Sequence, residues 1–238
     1  MPEFKSGPVE FHSEKMAVDS SANKELVKLA TVKVLHDEDG SGQGVLVPGG
    51  LVLTAAHCIS WSGTGGTALG DYHPTGIVTA DGHRFRLEVY AAEPRADIAV
   101  LAALDDQEFP GDSCAFEDWC EATTAVPIRT APFEPGTPGT SIRVHVLSHR
   151  GVWIPGTVTR WGDTVGGSLF LEADEYIEGG TSGGPVVDDD GLLVGVVSNS
   201  AERGISLGGR DAKFHGDLPL ACMALPHWAL LRATNLAR

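Results

Sequence analysis

The sequence has no long hydrophobic run, few cysteines and few basic residues, and these shortages exclude several classes of protein. No segment of the 238 residues approaches the ~18 consecutive apolar residues of a membrane-spanning helix. Lys and Arg number 17 against 32 Asp and Glu, so the formal charge is −15, and such a field repels nucleic acid and anionic lipid. We therefore expect neither a nucleic-acid nor a membrane partner. Basic polypeptides are the more favourable binding partners for such an acidic protein.

The beginning of the chain also lacks the apolar region of a signal peptide. Residues 1–22 form a polar leader without periodicity, and Glu3, Lys5, Glu10 and Glu14 lie within it. Nothing in these residues directs export, so we expect a cytoplasmic protein. A tag remnant before Met16, or an export signal already removed, are the alternatives.

The chain does contain enough apolar residues, 42%, to bury a core in one large domain or two small ones. Short β-rich runs separated by Gly, Pro or Asp predict an all-β sandwich or barrel. These runs lie at 31–35, 44–47, 51–54, 85–90 and 98–101, and again at 142–146, 156–160, 168–171, 185–187 and 192–198. The two sets predict two barrels joined by an acidic, irregular connection at residues 104–125.

Two segments have helical patterns. Residues 23–30 are the first, and the second is the tail, where Trp228, Leu230 and Leu231 follow Pro226. We predict a short helix at each place.

Three motifs supply the chemical parts that acyl transfer needs. Gly-Gly-Thr-Ser-Gly-Gly-Pro at 179–185 surrounds Ser182 with glycines, so that a hydroxyl nucleophile has open backbone around it. Thr-Ala-Ala-His-Cys at 54–58 offers His57 as a base, and Asp-Ile-Ala-Val-Leu at 97–101 offers Asp97 to orient it. A charge beside an apolar run is costly unless it is paired, which favours a His57–Asp97 contact.

These motifs, in the order His, Asp, Ser, resemble those of the trypsin/chymotrypsin-like serine peptidases, especially compact bacterial members, over residues 30–235. The resemblance implies two six-stranded antiparallel Greek-key barrels with the active site in the cleft between them. It places the first barrel at about 30–103, the second at about 126–215 and a C-terminal helix at about 218–235 within a peptidase domain of residues 23–235.

The resemblance also implies roles for residues around the nucleophile. The amides of Gly180 and Ser182 would form the oxyanion hole, and Ser198 would support Asp97. The substrate pocket would include the residues Tyr176, Glu178, Ser198, Asn199 and Ser200. A small or apolar primary substrate residue is our expectation, and a basic one attracted by Glu178 is the alternative. No cofactor or metal is expected.

The sequence departs from the digestive members of this family at Thr181, where they carry the aspartate that receives a newly cut N-terminus. We therefore predict activity without N-terminal processing, or control by a partner or a movable loop. Cys58 resembles a position that is usually disulfide-bonded, but residues 42–47 contain no cysteine, so a buried, reduced thiol is predicted. Cys114 and Cys120 could close a small loop only in an oxidising environment.

Two apparent metal motifs are better explained by turns and strands. His145 and His149 have helical spacing in a segment of strand character, which disfavours a zinc site. The acidic run that begins at Asp37 has Pro48 where a calcium loop needs a bidentate glutamate, so it predicts a hairpin turn.

The sequence thus predicts a serine endopeptidase that processes selected polypeptide partners and has a regulatory protein partner as a second expectation. The alternative is a latent or inactive protease-fold scaffold that a partner activates. An esterase is disfavoured, because Gly-Thr-Ser-Gly-Gly lacks the strand-to-helix elbow of the α/β hydrolases.

Overall fold

The computed structural model describes residues 20–36, 40–59, 74–93, 97–129, 141–160, 169–198, 200–201 and 220–223. Antiparallel strands dominate, as the sequence predicts. The elements are α1 (Ser20–Leu29), β1 (Thr31–His36), β2 (Gly40–Val47), β3 (Leu51–Thr54), β4 (Thr75–Val78), β5 (Arg84–Glu93), β6 (Ile98–Ala103), α2 (Pro110–Ala122), β7 (Ser141–Leu147), β8 (Trp153–Arg160), β9 (Leu169–Ala173), β10 (Pro185–Asp188), β11 (Leu193–Val196), β12 (Ser200–Ala201) and β13 (Leu220–Met223). Neither helix of this part of the chain is long and apolar enough to cross a bilayer.

The first six strands form a closed antiparallel barrel in the order β1-β2-β3-β6-β5-β4. Strand β3 pairs with β6 at Leu53↔Val100, and β1 closes the barrel against β4 at Val34↔Ile77. All four residues of β3 are buried, as expected for an apolar run without polar alternation. This strand leads directly to His57, so a fully buried strand of the barrel anchors that residue.

The second half is a seven-stranded antiparallel sheet in the order β11-β10-β7-β8-β9-β13-β12. The family resemblance implies a closed barrel of six strands here; the described residues form seven strands, with β11 and β12 at the two ends of the sheet. The extra strands come from short segments, β12 and β13, that carry too few residues for a periodic pattern. Val144, Val146 and Leu171 are completely buried and form part of a separate apolar core.

The connection between the two halves contains a helix, so the prediction of an irregular segment was wrong for α2. Phe116 and Trp119, three residues apart, are buried on one face of α2, and both pack on Phe85 of β5 with ring centroids 6.1 Å away. This apolar contact outweighs the acidic composition of the segment. Cys114 and Cys120 are free thiols, since six residues of helix separate them by about 9 Å.

Two segments tie the halves together. After α2, the Val126 N–H donates to the Leu46 carbonyl at 2.9 Å, and the Leu193 N–H donates to the Pro127 carbonyl at 2.8 Å. Helix α1 is predicted at 23–30 and found at Ser20–Leu29; the Asn23 side-chain amide donates to the Asp190 carbonyl at 3.1 Å. The halves therefore hold one another through backbone hydrogen bonds as well as apolar contact.

The predicted C-terminal helix begins too early. Residues Leu220–Met223 form β13, which pairs with β9 at Ala221↔Leu171, because an apolar four-residue segment can satisfy its backbone groups along the edge of β9 that β8 leaves unpaired. The remainder of the predicted helix lies outside the described residues, as do residues 1–19 of the polar leader and the predicted turn at 37–39. The last three residues of the predicted leader, 20–22, instead belong to α1.

Candidate active site

His57 lies immediately after β3, in a 3₁₀ turn at Ala56–Cys58 that packs on β6. Its backbone N–H donates to Asp97 Oδ1 at 2.9 Å, and its ring Nδ1 lies 2.8 Å from Asp97 Oδ2. Because a carboxylate can only accept, Nδ1 carries the proton of this hydrogen bond, and Nε2 of a neutral ring is left as the acceptor. The imidazole is thus oriented with a basic nitrogen available.

Asp97 precedes β6 and is buried, with 7% of its surface exposed. Its hydrogen-bond donors are the His57 backbone, the His57 ring and the Ser198 hydroxyl. Burial alone would raise the pKa of the Asp97 carboxyl, but the hydrogen bonds from His57 and Ser198 hold that pKa below its ordinary value. The carboxylate therefore stays charged beside the imidazole.

The backbone of Asp97 is also unusual. Its φ of 51° is the one positive value of a non-glycine residue among the described residues. Asp and Asn adopt this left-handed region more readily than other residues, although it still stores strain. This conformation occurs at the start of β6, where the side chain meets His57.

The pKa of His57 is raised from its ordinary 6.5 to about 10. The hydrogen bond to Asp97 is the largest cause, the neighbouring Cys58 side chain adds to it, and partial burial of the ring opposes it. Cys58 is a buried free thiol. The imidazolium is strongly favoured, and the ring acts as a base only where pH allows its deprotonation.

Ser182 lies in the glycine-rich turn before β10. Gly180 and Gly183 have φ values of 87° and 77°, which only glycine adopts without strain, so the sequence pattern is required by the backbone here. The Ser182 carbonyl accepts from the Gln43 N–H at 2.7 Å, which holds the turn against β2 of the first barrel. Among the described residues, the Ser182 hydroxyl makes no hydrogen bond to the His57 ring.

The two predicted oxyanion donors lie in this turn. In the described part of the chain, neither the Gly180 nor the Ser182 N–H is used in a backbone hydrogen bond. Neither amide therefore has a backbone partner in that part of the chain. A cavity of about 510 Å³ adjoins Gly180 and is lined from both halves of the molecule, including Ser41, Gly42 and His149.

The predicted pocket residues that the structure describes have different surroundings. Tyr176 is 57% exposed, and the Glu178 carboxylate lies 2.8 Å from the Arg150 guanidinium. That ion pair weakens the argument that Glu178 attracts a basic substrate residue. Ser198 is buried with its hydroxyl on Asp97. Asn199 lies outside the described residues, and for Ser200 only the backbone, in β12, is described.

Two contacts that matter at the site were missed from the sequence. Thr181 is completely buried, and its hydroxyl lies 3.4 Å from both the backbone N and the ring Nδ1 of His149. In the sequence, His149 stands out only as a metal partner of His145, whose own ring bonds to Asp189 at 2.9 Å. No local pattern could have linked His149 to Thr181, because 32 residues separate them.

Comparisons with known proteins identify the family and the fold of the chain. Residues 40–196 match the trypsin-like peptidase domain family. No curated protein sequence matches the chain. Among solved structures, the active form of the Rv3671c protease from M. tuberculosis is 19% identical with a TM-score of 0.56, and the match covers 98% of this chain and 92% of that one.

Two further structures show the same fold. The inactive form of Rv3671c is 18% identical with a TM-score of 0.53 and coverage of 90% and 92%. The serine endoprotease from Yersinia pestis is 16% identical with a TM-score of 0.56, covering 93% of this chain and 67% of that one. Because the family match spans both halves, the chain belongs to the trypsin-like peptidases and has a trypsin-like serine protease fold.

Proposed function

We propose that this protein is a serine endopeptidase that hydrolyses polypeptides through an acyl-enzyme at Ser182. The observation that carries the proposal is the buried Asp97 carboxylate, which accepts hydrogen bonds from His57 and Ser198 across the two halves of the molecule. A carboxylate held in this way orients a histidine, and the Ser182 turn lies against the same barrel through Gln43. A protein that only binds has no physical need for this combination.

In the proposed reaction, Ser182 Oγ attacks the scissile carbonyl carbon while His57 Nε2 accepts the hydroxyl proton. The oxygen of the tetrahedral intermediate receives hydrogen bonds from the Gly180 and Ser182 N–H groups, which are free of backbone partners within the described part of the chain. His57 then gives the proton to the leaving amine, and the amine departs with the bond electrons. Water, deprotonated by His57, hydrolyses the acyl-enzyme.

Selective processing of a few protein partners is the mode of action that we propose, with a regulatory protein partner and a cytoplasmic location. The free thiols at Cys58, Cys114 and Cys120 support a reducing compartment. The formal charge of −15 favours basic polypeptides as substrates.

A specific observation favours a second candidate, a latent protease-fold protein that a partner activates. In the described residues the nucleophile and the base are not joined, since no hydrogen bond links the Ser182 hydroxyl to His57. The first candidate accounts for the same observation only if this hydrogen bond forms when substrate binds, as catalytic hydrogen bonds often do.

Covalent labelling with a fluorophosphonate probe, followed by intact mass, separates the candidates. We expect one adduct on the parent chain, none on Ser182→Ala, strongly slowed labelling of His57→Ala and full labelling of Ser141→Ala, a control at an exposed serine. Equal labelling of Ser182→Ala and the parent would disprove the nucleophile assignment. An unreactive parent that becomes reactive only with a binding partner would establish the latent form.

A further inference from the structure

The turn that carries the proposed oxyanion donors is held unequally at its two ends. Its C-terminal end is fixed by short backbone hydrogen bonds: Gly183 N to Val197 O at 2.6 Å, Gly184 N to Thr181 O at 2.8 Å, and Gln43 N to Ser182 O at 2.7 Å. Within the described part of the chain, its N-terminal end has one long backbone bond, Thr181 N to Glu178 O at 3.3 Å. Gly179 and Gly180 lie in this less constrained end, where glycine has many alternative conformations.

Side chains of the β7–β8 hairpin reach this weaker end. Arg150 pairs with the Glu178 carboxylate at 2.8 Å, and His149 Nε2 lies 3.8 Å from the same carboxylate. His149 also meets the buried Thr181 hydroxyl through both its backbone N and its ring Nδ1. A Cβ placed on Gly180 would lie 3.6 Å from His149 Cγ, so the ring packs directly over the residue between these two anchors.

The hydrogen-bond chemistry of these groups is consistent. The His149 backbone N–H donates to Thr181 Oγ1, so the Thr181 hydroxyl is free to donate to Nδ1 of a neutral ring. That tautomer carries its proton on Nε2, which faces the Glu178 carboxylate. One neutral imidazole can therefore contact Glu178 and Thr181 at the same time.

We propose that His149 is a positioning residue that keeps the Gly180 amide directed at the oxyanion by holding Thr181 and Glu178 on either side of it. It does not touch the reacting atoms. In the digestive members of the family, an aspartate stands at the position of Thr181 and receives the charged N-terminus. In this protein we propose that His149 is the partner of Thr181 instead. The inference rests on the proposed function, because a turn without a reaction needs no aligned amide.

Removing one oxyanion donor lowers the rate by on the order of 10²–10³. Loss of a residue that only supports such a donor should lower the rate by less than that. Loss of a support for that donor misaligns it in part of the molecules, so we expect His149→Ala to lower the fluorophosphonate labelling rate constant kinact by about tenfold. The probe's KI should change little, since the initial encounter does not depend on the oxyanion. A residue with a purely structural role would instead reduce the amount of folded protein and leave kinact of the folded fraction unchanged.

Two conservative variants separate the contacts. The shorter amide of His149→Asn would present a carbonyl near the place of Nδ1 and should restore the Thr181 contact, whereas His149→Gln should restore a donor towards Glu178. We expect more recovery of kinact with His149→Asn than with His149→Gln, because Thr181 is the nearer neighbour of Gly180. His145→Ala is the matched control, a histidine on the same hairpin that bonds to Asp189 and Lys24 instead.

The closing experiment measures kinact and amide hydrogen exchange of a peptide spanning residues 178–184 on the same intact protein. The expected result is lower kinact and faster exchange in His149→Ala, with His145→Ala equal to the parent. Unchanged exchange in His149→Ala, or faster exchange with unchanged kinact in a reactive parent, would overturn the proposal. Faster exchange in His149→Ala, together with a parent chain that never reacts with the probe, would refute the proposed function and leave the role of His149 in holding the turn supported.

Discussion

The His57–Asp97 pair and the Ser182 turn differ in how their functional groups are held. The pair is joined by two hydrogen bonds of 2.8–2.9 Å, and Ser198 adds a third to the buried carboxylate. The Ser182 turn is fixed through its backbone, and its hydroxyl has no bond to His57 in the described residues. The base is thus assembled before substrate arrives, whereas the nucleophile depends on a glycine-rich turn supported from the β7–β8 hairpin. Substitutions in the His57–Asp97 pair and in the Ser182 turn should therefore have different effects on labelling and on stability.

Removing the charge of Asp97 should have the largest effect. Asp97→Asn keeps a residue that tolerates the left-handed backbone, so the change tests the carboxylate and not the φ of 51°. An amide can donate to Nδ1 and stabilise the wrong tautomer, so we expect the fluorophosphonate labelling rate to fall on the order of 10⁴. The melting temperature should fall as well at neutral pH, because the stabilisation from pairing His57 with the carboxylate is lost.

The readout is the fluorophosphonate labelling rate together with the melting temperature. Ser198→Ala is the graded comparison, since it removes one of the three donors to Asp97 and should cost much less. Asp97→Asn with labelling within tenfold of the parent would show that Asp97 does not orient the base.

The stability of the Ser182 turn should depend more on its backbone conformation than that of the His57–Asp97 pair does. A Cβ on Gly183 would lie 1.9 Å from the Gln43 carbonyl oxygen, and φ there is 77°. Gly183→Ala should lower the free energy of unfolding by about 3 kcal/mol or more, from the steric conflict with β2 added to left-handed strain. Urea denaturation measures this loss.

Gly151 provides the matched control. Its φ of 74° is similar, but a Cβ there would meet nothing within 4 Å. Gly151→Ala should cost only the left-handed strain, about 1–2 kcal/mol. Equal losses at the two positions would mean that the contact of the Ser182 turn with the first barrel contributes nothing to stability.

Local patterns explain which parts of the fold could be predicted. Strand β3 is found at Leu51–Thr54, where its apolar run predicts it, because Gly50 and Ala55 bound a segment buried on all positions. Helix α2 was missed because only Phe116 and Trp119 are buried apolar residues within an acidic segment. Their partner, Phe85, lies far away in sequence, and no short window of the chain contains all three.

The site residues divide in the same way, into those that local motifs predict and those whose contacts come from distant segments. His57, Asp97 and Ser182 stand in compact motifs whose chemistry can be recognised residue by residue. The supports of these groups come from distant segments: Gln43 holds the Ser182 carbonyl, and His149 meets Thr181 across 32 residues. Such contacts depend on how the two halves pack, which single-sequence patterns do not contain.

The smallest expected effect concerns the pH dependence of the His57–Asp97 pair. His57 must be neutral to accept a proton, and its pKa is raised to about 10 by Asp97 first and by Cys58 second. The rate of labelling should therefore rise with pH through values well above the ordinary 6.5 of histidine. Cys58→Ala removes the second cause, so the rise should move to lower pH while staying above that ordinary value, because Asp97 remains.

Stability should respond in the opposite direction. Because the pKa of folded His57 exceeds that of the unfolded chain, its stabilising contribution is complete below about pH 6.5 and is lost as pH rises through about 10. The parent thus gains reactivity over the same range in which it loses this stabilisation, and Cys58→Ala should shift both changes downward together. Labelling rates and urea midpoints across that range test the coupling. A shift in reactivity without one in stability would place the titrating group outside the His57–Asp97 pair.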